Sequence, residues 1–157
     1  MSVEAKLMEL GIQLPPPPPA VAAYEPWMRT GNLILTSGQL PWKNGELAFS
    51  GKCGAEITED QGYQAARQCA INAISQLKAA AGDLDRVRQI VKVDGYVHTS
   101  PGFRGHPQVL NGASELIRSV FGERGRHARL AVGIDEMPLN AAVQICVTAE
   151  IEDYPIS

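Results

Sequence analysis

One stretch constrains the fold more than any other: "TEDQGYQAARQCAINAISQLKAAAG", from Thr58 to Gly82. Thr58 with Gln61 three residues on is the capping-box pattern, which satisfies backbone N–H groups at a helix start. No proline interrupts the stretch before Gly82, a residue suited to stopping a helix. Ala66, Cys69, Ala70, Ala73, Ile74 and Leu77 recur at spacings of three and four, the period of one helix face. The stretch therefore predicts a long helix to about Ala81. Its inward stripe is mostly alanine, so it can pack close to a sheet.

The rest of the chain supplies one. Trp27 to Pro41 reads as a hairpin turning at Thr30-Gly31-Asn32, and "WKNGELAF" as a second turning at Asn44-Gly45. Gly38, at a strand end, predicts a bulge or a close backbone approach. Ile90, Val91, Val93, Tyr96 and Val97 form a strand pattern that Gly95 interrupts as an expected bulge. A glycine- and proline-rich loop, Ser100 to Pro107, leads to a second helix at about 108–121, stopped by Gly122. Two strands follow, at about 127–134 and 143–150, with a turn at Met137-Pro138. This order predicts an α+β layer with both long helices on one face of a mixed sheet. Strands such as "LILTSG" carry apolar residues on both faces. Two helices cover only one, so self-association through the bare face is the simplest cover for the other.

The N-terminal part is set apart by "PPPPP", Pro15 to Pro19. A short helix capped by Ser2 precedes it, with Leu7, Met8 and Leu10 expected on its apolar side and Gly11 as its stop. The prolines form a polyproline II spacer. It reads as a rigid connector laying the first helix on the body, the alternative being a ligand for a proline-reading partner. Residues 1–20 are thus an extension and 21–157 the main domain.

The 157 residues are enough for one sizeable core. A net charge of −3 lacks the basic field that nucleic-acid binding draws on. The N-terminus has no long apolar run, which predicts neither signal peptide nor membrane anchor, and a cytoplasmic protein is the expectation. Cys53, Cys69 and Cys146 have no metal-like spacing and read as reduced, buried thiols.

Four stretches together resemble the YjgF/Rid proteins, the endoribonuclease L-PSP-like family. They are Tyr24 followed by "GNLILTSGQLP", the helix "QGYQAARQCAINAISQLKAAAGDLDRV", "VLNGASELIRSVFG", and "HARLAVGIDEMP". The resemblance covers about Val21 to Ile151, with the leading segment similar to the extension of a longer branch. It implies a chorismate-mutase-like fold and a homotrimer with sites in the clefts between subunits. It also implies hydrolysis of enamines and imines such as 2-aminoacrylate to a 2-keto acid and ammonia, a deaminase reaction using no metal and no organic cofactor.

Carried over position by position, the resemblance makes Arg129 the clamp for a substrate carboxylate. A guanidinium suits that task because it offers two parallel hydrogen bonds. The other reading of Arg129 is a stem packed on the sheet with its head in solvent or on an interface carboxylate. Tyr24 matches a rim tyrosine, or is a half-buried aromatic after the spacer. Ser37 and Gly38 match a cleft wall, or are plain turn chemistry. Asn111, in the first turn of the second helix, either faces the site or does not. His127 shares a strand face with Arg129 and is either a substrate contact or a satisfied interface residue. Phe103 and Arg104 are candidates for a lid. Two positions depart from the active branch. Gln144 stands where that branch has a glutamate, and Ala131 where it usually has a cysteine. Glutamine holds water but takes no proton, so a non-catalytic binder of keto or imino acids is the alternative function. A ribonuclease ranks below both, resting only on the local cluster Arg124, Arg126, His127 and Arg129.

Overall fold

The structure, a computed structural model, describes residues 1–153; residues 154–157 of the expected main domain lie outside the described residues. Three helices and seven strands follow in the order α1 (Val3–Glu9), β1 (Trp27–Thr30), β2 (Leu33–Thr36), β3 (Trp42–Lys43), β4 (Glu46–Leu47), α2 (Glu59–Ala81), β5 (Val87–His98), α3 (His106–Phe121), β6 (Ala128–Ile134) and β7 (Val143–Ile151). The main sheet has the order β1-β2-β7-β5-β6, and β3-β4 is a separate hairpin. Only β5 and β6 run parallel; the other neighbours are antiparallel. This is the expected α+β layer, with α2 and α3 on one face of a mixed sheet.

The helix that opened the reading forms as its sequence dictates. Thr58 accepts from the Gln61 backbone N–H, and the Gln61 side chain accepts from that of Thr58, while Gly82 closes the far end at φ 80°. The six predicted inward residues are all buried. They meet Ile90, Val93, Val97, Ile145 and Val147 of the central strands. In the β3–β4 turn, Asn44 and Gly45 both adopt positive φ, as a two-residue hairpin requires.

Three expectations are corrected. Gly95 does not bulge: β5 runs through it, and the register shifts lie between Val87 and Gln89 and between Ile90 and Lys92. Gly95 is needed instead for close packing, because a Cβ there would sit 2.3 Å from Leu110 Cδ1 of α3. On α1 the inward residues are Val3 and Leu7, one turn apart, while Met8 is 81% exposed. Leu10 is the C-cap and points outward. A helix of seven residues buries only one narrow stripe, and Ile12 just beyond it completes the contact. The second helix begins at His106, two residues early, with Pro107 in its first turn.

The proline run is tied to α2. Its carbonyls accept from that helix, Pro15 from Ser75 Oγ and Pro18 from Gln76 Nε2. The α1 end is held by Val3 N–H donating to Asp85 Oδ1 at 2.8 Å and by the Lys78–Glu4 ion pair at 2.7 Å.

The face away from the helices is open. The register puts Met28, Leu33, Leu35 and Leu130 on it beside Lys92, Asp94, Gln144 and Thr148. The four apolar residues are each more than a third exposed.

Candidate functional site

The named residues fall into two groups. Arg129 lies on edge strand β6, opposite Val93 and so on the helix-covered face. Its Nη1 donates to Asn111 Oδ1 at 2.9 Å and Ser114 Oγ at 3.2 Å, and Nη2 to the Pro107 carbonyl at 3.4 Å. All three partners are neutral. Among the described residues no carboxylate pairs with this guanidinium. His127 joins the same cluster. The Gly125 carbonyl can only accept, so Nδ1 donates to it at 2.7 Å. Nε2 then accepts from the Ser114 hydroxyl at 2.8 Å. Ser114 Oγ in turn accepts from Arg129 Nη1, so the chain of bonds runs Arg129, Ser114, His127, Gly125.

Sequence reading named Asn111 and His127 but missed Ser114. It lies three residues after Asn111, on the same helix face, and that spacing was the available signal. Ala131 pairs with Gly95 on the same side of β6 as Arg129. Gly133 follows, where a Cβ would meet His106 Nε2 at 2.4 Å. Phe103 packs on the core, its ring edge-on to His106 with centroids 5.7 Å apart. Arg104 is exposed.

The second group surrounds a cavity of about 350 Å³. Tyr24, Ser37, Gly38 and Gln144 all line it. The Ser37 hydroxyl donates to the Glu25 carbonyl and its N–H to Pro26, fastening the Tyr24 segment to the end of β2. Gly38 is a close approach, one of the two expected alternatives: a Cβ there would fall 2.2 Å from Gln144 Oε1. Gln39, which exchanges both backbone bonds with Ile145, holds this turn against β7. Its amide nitrogen donates to Ser37 O, while its Oε1 accepts from the buried Gln76 at 3.3 Å. Leu139 on the rim has φ 56°, a left-handed conformation costing a bulky residue about 1–2 kcal/mol. Nothing local in the sequence points to Gln76 or Leu139.

The two groups do not meet within one chain. Arg129 lies opposite Val93, while Gln144 lies opposite Tyr96 on β7. Positions 93 and 96 of β5 point to opposite faces, and β5 itself separates the two strands.

The local cationic cluster is largely committed. Arg124 donates to the carbonyls of Asp85 and Val87, and Arg126 pairs with Glu123 at 3.3 Å. Burial pushes the Cys53 thiol up to about 11 and raises Cys69 and Cys146 as well, so none is a ready nucleophile. Among the described residues there is no group of three or more His, Cys, Asp or Glu able to hold a metal ion. No helix there is long and apolar enough to cross a membrane.

The family model described as "YjgF/chorismate_mutase-like, putative endoribonuclease" matches residues 4–151. The chain belongs to the YjgF family. That match begins inside α1, so it takes in the proline run as well as the stretch from Val21. Among relatives of this YjgF protein, Protein TCP17 of Trypanosoma cruzi is 43% identical over 152 residues, 96% of this chain and 95% of that one. The crystal structure of Atu1372 from Agrobacterium tumefaciens, "with unknown function", shares 43% identity and a TM-score of 0.89, covering 96% of this chain and 92% of that one. A "putative endoribonuclease" from Shewanella oneidensis shares 38% identity and a TM-score of 0.94, covering 96% and 100%.

Proposed function

We propose that this YjgF protein hydrolyses small imino acids, formed from enamines such as 2-aminoacrylate, to 2-keto acids and ammonia. The reaction takes place in clefts between the copies of a homotrimer. The observation that carries the reading is Arg129, a half-buried guanidinium held, among the described residues, by Asn111, Ser114 and Pro107 and by no carboxylate. Neutral partners orient the fork and leave its charge uncompensated, which suits it to a carboxylate ligand. Its place on an edge strand puts it where a second copy can approach.

Two half-sites facing apart on one chain call for association. A closed ring brings Arg129 and Asn111 of one copy against Tyr24, Ser37, Gly38 and Gln144 of the next. The exposed Met28, Leu33, Leu35 and Leu130 supply apolar area to bury.

The chemistry asks little of the protein. In R–C(=NH)–COO⁻ the imine carbon is already electrophilic. Arg129 fixes that carbon by holding the carboxylate. Gln144 Oε1 accepts a hydrogen bond from water and aims its oxygen at the carbon. The glutamine takes no proton, so that proton passes to nitrogen through the substrate carboxyl or a second water. The carbinolamine hydroxyl then passes its proton through water to the amine as the C=O bond forms and the C–N bond breaks, giving R–CO–COO⁻ and NH₃.

Gln144 also favours a second reading, in which the same pocket binds keto or imino acids without turnover. One experiment separates them. A serine-consuming pyridoxal-phosphate enzyme generates 2-aminoacrylate, and its loss is followed with the native chain, Arg129→Ala and Gln144→Glu. Native consumption that vanishes in Arg129→Ala supports the deaminase. Pyruvate binding without native consumption, with turnover appearing in Gln144→Glu, supports the binder. Neither binding nor turnover in any form sinks both.

A further inference from the structure

A second and larger cavity, of about 930 Å³, lies along the proline run. Its walls are the segment from Gly11 to Pro19, the β3–β4 hairpin, and Arg67, Gln68, Ile71 and Asn72 of α2. Pro18, Pro19, Val21 and Trp42 line both this cavity and the smaller one, so the proline strap is the partition between them. The volume lies within the range of small-molecule sites.

The hydrogen-bonding inventory narrows the ligand. Asn72 Nδ2 is used up on the carbonyls of Leu40 and Trp42, at 2.9 and 3.0 Å. Gln68 Nε2 donates to Trp42 O and Asn72 Oδ1, at 3.1 and 3.2 Å. The strap contributes no N–H across five successive prolines, so it cannot cradle a phosphate with backbone donors as a glycine-rich loop does. Two cations remain. Arg67 and Lys43 line the groove, and neither forms an ion pair among the described residues. Gln13 and Asn44 add two exposed neutral amides at the lining, and the rest of it is mainly apolar: Leu14, Ile71, the Trp42 ring and the proline rings.

We propose that this groove binds a small arylalkyl carboxylate, with its ring on Trp42 and Ile71 and its carboxylate on Arg67. A flat apolar body matches proline and tryptophan walls, and a single negative charge matches a guanidinium that has no acid of its own among the described residues. This site is independent of the Arg129 clamp.

The test is isothermal titration of the full chain with 3-phenylpropionate. Binding is expected to weaken about tenfold in Arg67→Gln, the loss of roughly one charge-assisted contact. It is expected to be unchanged in Arg129→Ala, which separates this groove from the imino-acid pocket. The neutral 3-phenylpropanamide is expected to bind about tenfold less tightly than the acid. Thermal melts of each variant check that the fold is kept. No binding to the native chain overturns the proposal. So does binding that is lost in Arg129→Ala and retained in Arg67→Gln.

Discussion

Replacing Gly38 by alanine probes the contact that shapes the Gln144 side of the candidate site. The new Cβ would lie 2.2 Å from Gln144 Oε1, 2.6 Å from Cδ and 3.0 Å from Cγ. Gly38 is not among the glycines at positive φ, so alanine brings no backbone strain and the whole effect is collision. The atoms struck are the end of a flexible, partly exposed side chain, so that side chain should turn away while the strand stays. A side chain forced off its rotamer costs about 0.5–1.5 kcal/mol, against about 1–3 kcal/mol for overpacking a rigid core. We therefore expect about 1 kcal/mol in urea denaturation, or roughly 2–4 °C in Tm for a chain of this size. Imine consumption should fall about a hundredfold, the scale of a misplaced reacting group. Gln144→Ala removes the atoms that are struck. In that background Gly38→Ala should be neutral to within about 0.5 kcal/mol. Equal penalties with and without the glutamine side chain would refute the collision.

Other outcomes follow from single contacts. At Gly112 a Cβ would meet the Tyr63 backbone oxygen of α2 at 2.0 Å. Neither helix can yield locally, so Gly112→Ala should lose at least the upper end of about 1–3 kcal/mol, or fail to fold, in chemical denaturation. Ser114→Ala removes a bond from Arg129 and one to His127. Pyruvate affinity should drop several-fold for a stability change of about 1 kcal/mol; unchanged affinity by titration would mean that Arg129 does not depend on Ser114. The Cys53 thiol, raised from an ordinary 9.0 to about 11 by burial and then by Glu59, should resist disulfide reagents at pH 8. The folded state holds this proton more tightly than the unfolded state. The stabilisation is full below pH 9 and lost as pH rises towards 11, so the urea midpoint should fall across that window. A midpoint flat from pH 9 to 11 would contradict this.

Local signals account for much of what could be read in advance. The capping box at Thr58 and Gln61, the alanine stripe and the Asn44-Gly45 turn are each decided within a few residues, and all formed as expected. Gly95 was misread because a glycine in a strand pattern fits either a bulge or a close approach. Only the position of Leu110 across the helix–sheet interface chooses between them. Met8 and Leu10 were misread for a related reason: hydrophobicity shows that a short helix has an apolar side, but not which residues α3 and the turn at Asp85 will cover.

The sequence by itself determined the long helix, both hairpins and the layer with one open sheet face, because caps, turns and periodicity act over one or two turns of chain; the candidate site residues came only through the resemblance to a family. Tertiary structure alone decided that Arg129 stands on the helix-covered face of an edge strand with, among the described residues, neutral partners only. It also decided that Gln144 lies against Gly38 on the opposite face, and that the proline strap divides two cavities. These facts depend on strand order and register, which bring together residues far apart in the chain, and no local preference encodes such pairings.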